Sequence, residues 1–349
     1  MKPTAKFSLY ANCIPVRGIL RSIVYDIQYE HYSFIPNDMF DILAKFRSKS
    51  FNDIVCELGE ANAKALQEYF SFLEVKDFIF WLDNDIDIDS LFPAITMRWD
   101  CPELISNMII DINENVFNFE NYFKKIKKLN CKHIQLRSFE VLSMDFWEYF
   151  IANFQYDGID DIEIFTKFSS YLEVDKAKSL LKSNYRIKFI IFHSSPEYVF
   201  FKDSSEKNIF SYVSLFVDKI HSSQDCHVID PAYFAVNIRL FTEAQEHHTY
   251  FNRKMGIDID GNIKNCPSLS ESFGNINDPD IDLRAIAQSP AFQRLWTVRK
   301  DDTAICRDCE FRYMCVDSRE PHLGEDGLYH HKIPCPYDPY TATWHTQES

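Results

Sequence analysis

Glycine is scarce in this sequence, 8 residues in 349, which leaves little material for the Gly-rich loops that cradle phosphates. Cationic residues are outnumbered. The 37 Lys and Arg stand against 52 Asp and Glu, a formal charge of -15. Nucleic-acid binding draws its affinity from counterion release by Lys and Arg, so a field of this sign argues against it. The same field repels an anionic membrane surface and attracts basic peptides. Long apolar runs are missing too: Phe189-Ile190-Ile191-Phe192 is far shorter than the roughly 20 residues that span a bilayer. The opening Met1-Lys2-Pro3-Thr4-Ala5-Lys6 runs into a mixed segment without the apolar core of a signal peptide. Together these lacks predict a cytoplasmic protein with no nucleic-acid or membrane partner.

Aromatic residues are plentiful instead, 31 Phe and 18 Tyr in a chain that is 46% hydrophobic, which supplies substantial cores and excludes global disorder. The length implies two or three domains. In a reducing compartment ten cysteines do not default to disulfides, so their spacing decides their role. Cys13, Cys56, Cys101, Cys131, Cys226 and Cys266 are scattered singly; Cys306, Cys309, Cys315 and Cys335 are grouped.

The chain divides into three stretches. Residues 1–92 read as strands and then helices: a strand from Phe7 to Val16, a second over Arg21–Ile27, a third over Tyr32–Ile35 stopped by Pro36. Asn37 is expected to cap a first helix, Ser50 starts a second, and Ala61 to about Phe72 forms a third. Residues 93–245 alternate strand and helix, with strands at Met108–Ile112, His133–Leu136, Asp161–Phe165 and Ile187–Phe192 and further strands near Tyr212–Val217 and Ala235–Leu240. Such units predict a parallel sheet with right-handed crossovers, as a partial β/α barrel or an open sheet. Polar residues at the strand ends (Asn113, Glu114, Ser138, Glu140, Lys167, His193 and Ser194) form no recognisable acid–base pair and read as loop and cap residues. Residues 246–349 open on a hairpin with Asp260-Gly261 in its turn, continue into a helix over Arg284–Val298, and end in the grouped cysteines and a tail rich in Pro and Tyr. Two adjacent histidine pairs, His247-His248 and His330-His331, read as solvated residues at element ends. The whole is an α/β protein of several domains.

Cys306-x2-Cys309-x5-Cys315, with Cys335 returning after nineteen residues, is a four-thiolate site by count. A C-x2-C turn brings two sulfurs to one metal, and four thiolates suit zinc or an iron–sulfur cluster. Spacing alone favours zinc.

The order of three strands and three helices at the N-terminus is a winged-helix order. It resembles the precursor-peptide recognition element of systems that mature ribosomally made peptides. That resemblance implies that a leader peptide adds to the third strand, in a groove formed by Tyr32, Ser33 and Phe34 with Ala65 and Tyr69 opposite. A small α+β domain whose edge packs on the rest of the chain is the other reading of the same pattern. Near the C-terminus, Asp260-Gly261-x-Ile263-x-x-Cys266-Pro267, Gly274-Asn275-Ile276, Phe292-x-x-x-Trp296 and the cysteine run resemble a SPASM domain. This is the auxiliary-cluster domain of radical SAM peptide-modifying enzymes. The resemblance assigns Cys306, Cys309, Cys315 and Cys335 to one [4Fe–4S] cluster, with zinc as the alternative. The family's other cluster has lost its ligands: Pro279 and Arg319 stand where it has cysteine, and Cys266 remains alone. No C-x3-C-x2-C triplet occurs anywhere in the chain, so no S-adenosylmethionine chemistry is expected and the middle stretch looks like a degenerate radical SAM barrel.

Taken with Asn12-Cys13-Ile14-Pro15-Val16-x-Gly18, Tyr25-Asp26 and Cys335-Pro336-Tyr337-Asp338-Pro339-Tyr340, the full chain resembles the SPASM-domain peptide maturases of grasp-with-spasm systems. This implies a precursor peptide and an ATP-grasp ligase as partners. The chain is then a leader-binding scaffold or, alternatively, a redox-active peptide-modifying enzyme; a zinc-stabilised interaction protein is the third reading.

Overall fold

The N-terminal run of β-branched and aromatic residues makes two strands where one is expected. In the computed structural model, which describes residues 3–82, 93–113, 119–153, 158–202, 211–226 and 228–345, β1 (Lys6–Leu9) and β2 (Cys13–Val16) are separated by a turn closed by the Cys13 amide on the Tyr10 carbonyl. β3 (Ser22–Asp26) and β4 (His31–Ile35) follow, and β2, β3 and β4 form an antiparallel sheet in that order. β4 is thus an edge: no described backbone group outside β3 bonds to it. The helices are α1 (Asn37–Lys45), α2 (Phe51–Leu58) and α3 (Ala63–Val75). Asn37 is the first residue of α1 rather than its cap, and Pro36 takes the cap position. The Asn37 amide is engaged elsewhere, accepting from Ser22 Oγ at 2.6 Å and donating to the Gly18 and Ile19 carbonyls. Ser50 does cap α2, in a reciprocal capping box with Asp53. β5 (Ile79–Leu82) then pairs antiparallel with β1. Leu66, Phe70 and Leu73 of α3 bury against Phe7, Val24, Ile35, Met39 and Leu43.

A second region is built on parallel strands. β6 (Asn107–Asp111), α4 (Phe119–Ile126), β7 (His133–Arg137), α5 (Met144–Asn153), β8 (Asp161–Lys167), α6 (Tyr171–Ser183) and β9 (Ile187–His193) alternate as the sequence pattern predicts. β10 (Val199–Lys202) and β11 (Tyr212–Leu215) extend one side; β12 (Lys254–Ile257) and β13 (Ile263–Lys264) extend the other. The order is β10-β11-β9-β8-β7-β6-β12-β13, with β10 and β13 antiparallel to their neighbours. Among the described residues the two outer strands do not pair, so the sheet is open. Strand period decides its faces. Ile110, Leu136, Ile164 and Phe192 join one apolar core with Trp147, Phe150 and Leu181 from the helices. The alternate positions carry Asp111, Gln135, Arg137, Glu163 and His193.

Two further expected elements differ. Ala235–Leu240 is not a strand: Asn237 caps α7 (Ile238–Glu246), its side chain accepting from the Leu240 amide at 2.9 Å. The single helix expected over Arg284–Val298 is two short ones, Leu283–Gln288 and Pro290–Gln293. Pro290 has no amide to continue the first, and Ser289 ends one and caps the other. Beyond Val298 the chain is largely irregular, with the hairpins β14 (Pro321–Leu323) with β15 (Tyr329–His331), and β16 (Tyr337–Asp338) with β17 (Thr343–Trp344).

Contacts gather these elements into two compact units. One comprises Met1–Asp100, Ile229–Thr249 and Val298–Ser349; the other comprises Cys101–Val228 and Tyr250–Thr297. The expected boundary at 92/93 lies outside the described residues. The stretch 246–349 is shared between the units, because β12 pairs with β6 and carries the hairpin into the sheet. No described helix is long and apolar enough to cross a membrane.

Candidate metal centre and peptide edge

The four grouped cysteines lie in the first unit. Cys306 opens a single 3-10 turn whose last hydrogen bond runs from the Cys309 amide to the Cys306 carbonyl. A second turn brings the Cys315 amide to the Phe311 carbonyl at 3.0 Å. Ile305 sits at φ +67°, a strained position for a β-branched residue that turns the chain into the first turn. These turns, and the approach of Cys335 before β16, place all four cysteines on the wall of one cavity. Lys300, Ile305, Asp317, Arg319 and Tyr337 share that wall. Burial pushes all four thiols above their ordinary pKa, Cys309 well above it. A bound metal reverses that preference, since a coordinating thiol is deprotonated outright.

Beside the cysteines sits a buried ionic network. Asp317, 1% exposed, receives Lys300 Nζ at 2.5 Å, Arg319 Nε at 2.9 Å and Arg319 Nη2 at 2.8 Å. Burial alone would raise the Asp317 carboxyl, but Lys300 and Arg319 outweigh it and hold it well below the usual carboxylate range. His331 Nε2 lies 3.4 Å from Asp317 without hydrogen-bond geometry, and burial lowers this histidine to about 4. Cys306, Asp317 and His331 offer ligand atoms within 4.8 Å of one another, a spacing a metal ion could bridge. The carboxylate of that trio is already taken up by two cations.

No three of the four cysteine sulfurs come within that same distance. A single zinc at about 2.3 Å from each ligand would draw its sulfurs to roughly 3.8 Å. Four cysteines on the wall of one cavity make a candidate metal centre.

The residues between the cysteines face the N-terminal sheet. Glu310, 1% exposed, accepts from Arg21 Nε at 2.7 Å and from Tyr337 Oη at 2.6 Å, while Tyr25 Oη donates to its carbonyl at 2.6 Å. Gly18 is required here: a Cβ would stand 2.5 Å from the Arg21 carbonyl and 3.0 Å from the Glu310 backbone. Phe311 packs on Tyr32, Phe34, Phe234, Tyr337 and Trp344.

This packing fixes which way the residues of β4 face. Strand period places Tyr32 and Phe34 on the face toward Phe311, and Arg21 stacks 3.6 Å over the Phe34 ring. Ile35, on the opposite face, packs in the core with Leu66 and Phe70 of α3. Ser33 lies on that α3-side face by period, where Tyr69 is half-buried and Ala65 exposed. Tyr32 and Phe34 therefore lie on one face of β4 and Ser33 on the other.

The histidine pairs are also not simply solvated. His248 is buried, His247 rests edge-on against Trp99, and His331 belongs to the ionic network; only His330 is exposed, paired with Asp326. At the strand ends of the second unit, His193 is fully buried, stacks on Phe165, and is held by the Ser138 carbonyl and Ser194 Oγ. Glu114 lies outside the described residues. Cys266 is buried there beside Tyr250 and Ser268. The sequence does not signal the ionic roles of Lys300, Glu310, Asp317 and Arg319; Arg319 stands out there only as a missing cysteine, and the others by position within or next to the cysteine spacing. No protein-family model matches the chain, and no curated protein matches it.

Proposed function

We propose that this chain is a maturation partner for a ribosomally made peptide, holding one [4Fe–4S] cluster on Cys306, Cys309, Cys315 and Cys335. It receives the precursor's leader at the edge of β4 and acts with an ATP-grasp ligase. One observation carries the reading: four cysteines converge on one cavity, and residues between them (Glu310 and Phe311) pack directly under the β2–β3–β4 sheet. The resemblances in the sequence supply the peptide context.

The chain's own residues have defined parts in this reading. The open edge of β4 offers backbone donors and acceptors for an added strand, and alternate leader side chains would meet the two faces that Ser33 and Phe34 mark. The acidic field favours Lys-bearing leaders and speeds their encounter at low salt. The cluster supplies a rigid cross-link among three chain segments. With four thiolate ligands no iron is left open for substrate.

The test is reconstitution of the ligase reaction with the full chain, the precursor and ATP, read by precursor mass, with and without this protein. Loss of modification or of its site selectivity without the protein supports the scaffold role. Anaerobic protein carrying about four irons per chain supports the cluster; stoichiometric zinc with negligible iron overturns it. Leader binding should fall with Ser33→Pro while iron content stays. A leader that binds equally well to that variant overturns the edge assignment.

A further inference from the structure

We infer that Lys300 and Arg319, clamped by Asp317, are positioning residues whose charge selects a four-thiolate centre of net negative charge. The inference rests on the reading that these cysteines hold a metal centre, and adds why the cavity suits an anionic one. Lys300 is 3% exposed and Arg319 5% exposed, and both line the cavity with the four cysteines. Two cations against the single carboxylate of Asp317 leave one buried positive charge. His331 adds no negative charge in either protonation state.

An uncompensated charge away from water is strongly disfavoured, and neutral thiols do nothing to offset it. Four thiolates do. On a divalent ion or a doubly positive cluster core they leave two negative charges, and the two cations then meet a partner of opposite sign. Arg319 is fixed in place for this: its Nη1 donates to the Ile333 carbonyl at 2.7 Å, two residues before Cys335, and its fork grips both oxygens of Asp317. Lys300 Nζ is held by Asp317 Oδ2, an atom of the group that closes on Cys306. Fixed cations beside a cluster favour its more negative oxidation state, so they also set its reduction potential. Arg319 stands where the resembled family has a further cysteine, and on this reading the position has exchanged a ligand for a counter-charge.

The experiment uses the full chain loaded anaerobically with iron and sulfide, comparing wild type with Lys300→Met, Lys300→Arg and Arg319→Gln. Iron lost to a chelator and the midpoint potential are read. Dithionite supplies one electron per centre, and no bond or proton is exchanged. Lys300→Met and Arg319→Gln should hold iron about 10- to 100-fold less tightly and shift the potential to more negative values, whereas Lys300→Arg should retain both properties. Arg319→Gln removes a charge independently should Lys300→Met not accumulate as folded protein. Unchanged potential and iron retention in both charge-removing variants overturn the inference. Wild-type protein that takes up no iron overturns the cluster reading beneath it, a separate and visible failure.

Discussion

The two units bury their apolar residues by different means. In the sheet unit, rows such as Ile110, Leu136, Ile164 and Ile190 repeat at strand period and meet helices that follow each strand. In the other unit, the cluster of Val16, Ile23, Tyr25, Phe241, Phe311, Met314 and Tyr337 is assembled from three distant stretches, the last of which has little regular structure. Regular backbone hydrogen bonding defines the first core. The second depends on side-chain clasps such as Glu310 and, in the reading proposed here, on a metal centre that pins its loops.

The largest expected effect separates those two means. Cys309→Ala should lose the metal and melt residues 300–340, because binding energy at a loop-rich structural site, about 10–16 kcal/mol for zinc in small domains, is folding energy. Hydrogen exchange should show the loss spreading to β3 and β4 while β6 to β9 keep their protection. Equal loss in β6 to β9 would erase the contrast between the units.

Next come two substitutions of comparable cost on opposite sides. Phe311→Ala should destabilise the first unit by about 3–5 kcal/mol, since the ring is buried among five aromatic side chains. Asp111→Ala should cost the second unit about 3–5 kcal/mol by leaving the buried Arg137 uncompensated. Urea melts read by segment-resolved exchange should assign each loss to its own unit, and metal content should fall only with Phe311→Ala.

The smallest is Ser50→Ala. It removes the side chain that caps α2 and should cost about 1 kcal/mol, visible as a small shift in the denaturation midpoint with metal content unchanged. A loss several times larger would mean that α2 supports the irregular core as well as its own.

The legibility of the chain followed the same division. β6 to β9 and α4 to α6 were readable because period and turn residues agreed locally, and a parallel sheet follows from them. Ser50 announced its helix, and the four cysteines announced their shared cavity. Less could be read where tertiary partners decide. Asn37 looked like a cap, but its amide is consumed by Ser22 and the Gly18–Ile19 turn. Tyr32 and Phe34 belonged to the right strand, yet nothing local told which face the irregular tail would cover. The ionic network of Lys300, Asp317, Arg319 and His331 gave no periodic signal, since its members meet only after a hairpin returns His331 to the cysteine turns.

The way the chain is divided between the units has a consequence for its synthesis. The N-terminal sheet meets some partners of its aromatic face in Val236 and Phe241, but the rest lie after Val298, roughly 200 residues beyond the end of its own first segment. At about 5–20 residues per second a ribosome takes on the order of 10–40 s to deliver them. Throughout that interval Val16, Ile23 and Tyr25 lack Phe311, Met314 and Tyr337. The grouped cysteines also follow every strand of the two larger sheets, so in the reading proposed here a metal enters only after those strands have been made. For that long an uncovered aromatic face is open to pairing with the wrong neighbour.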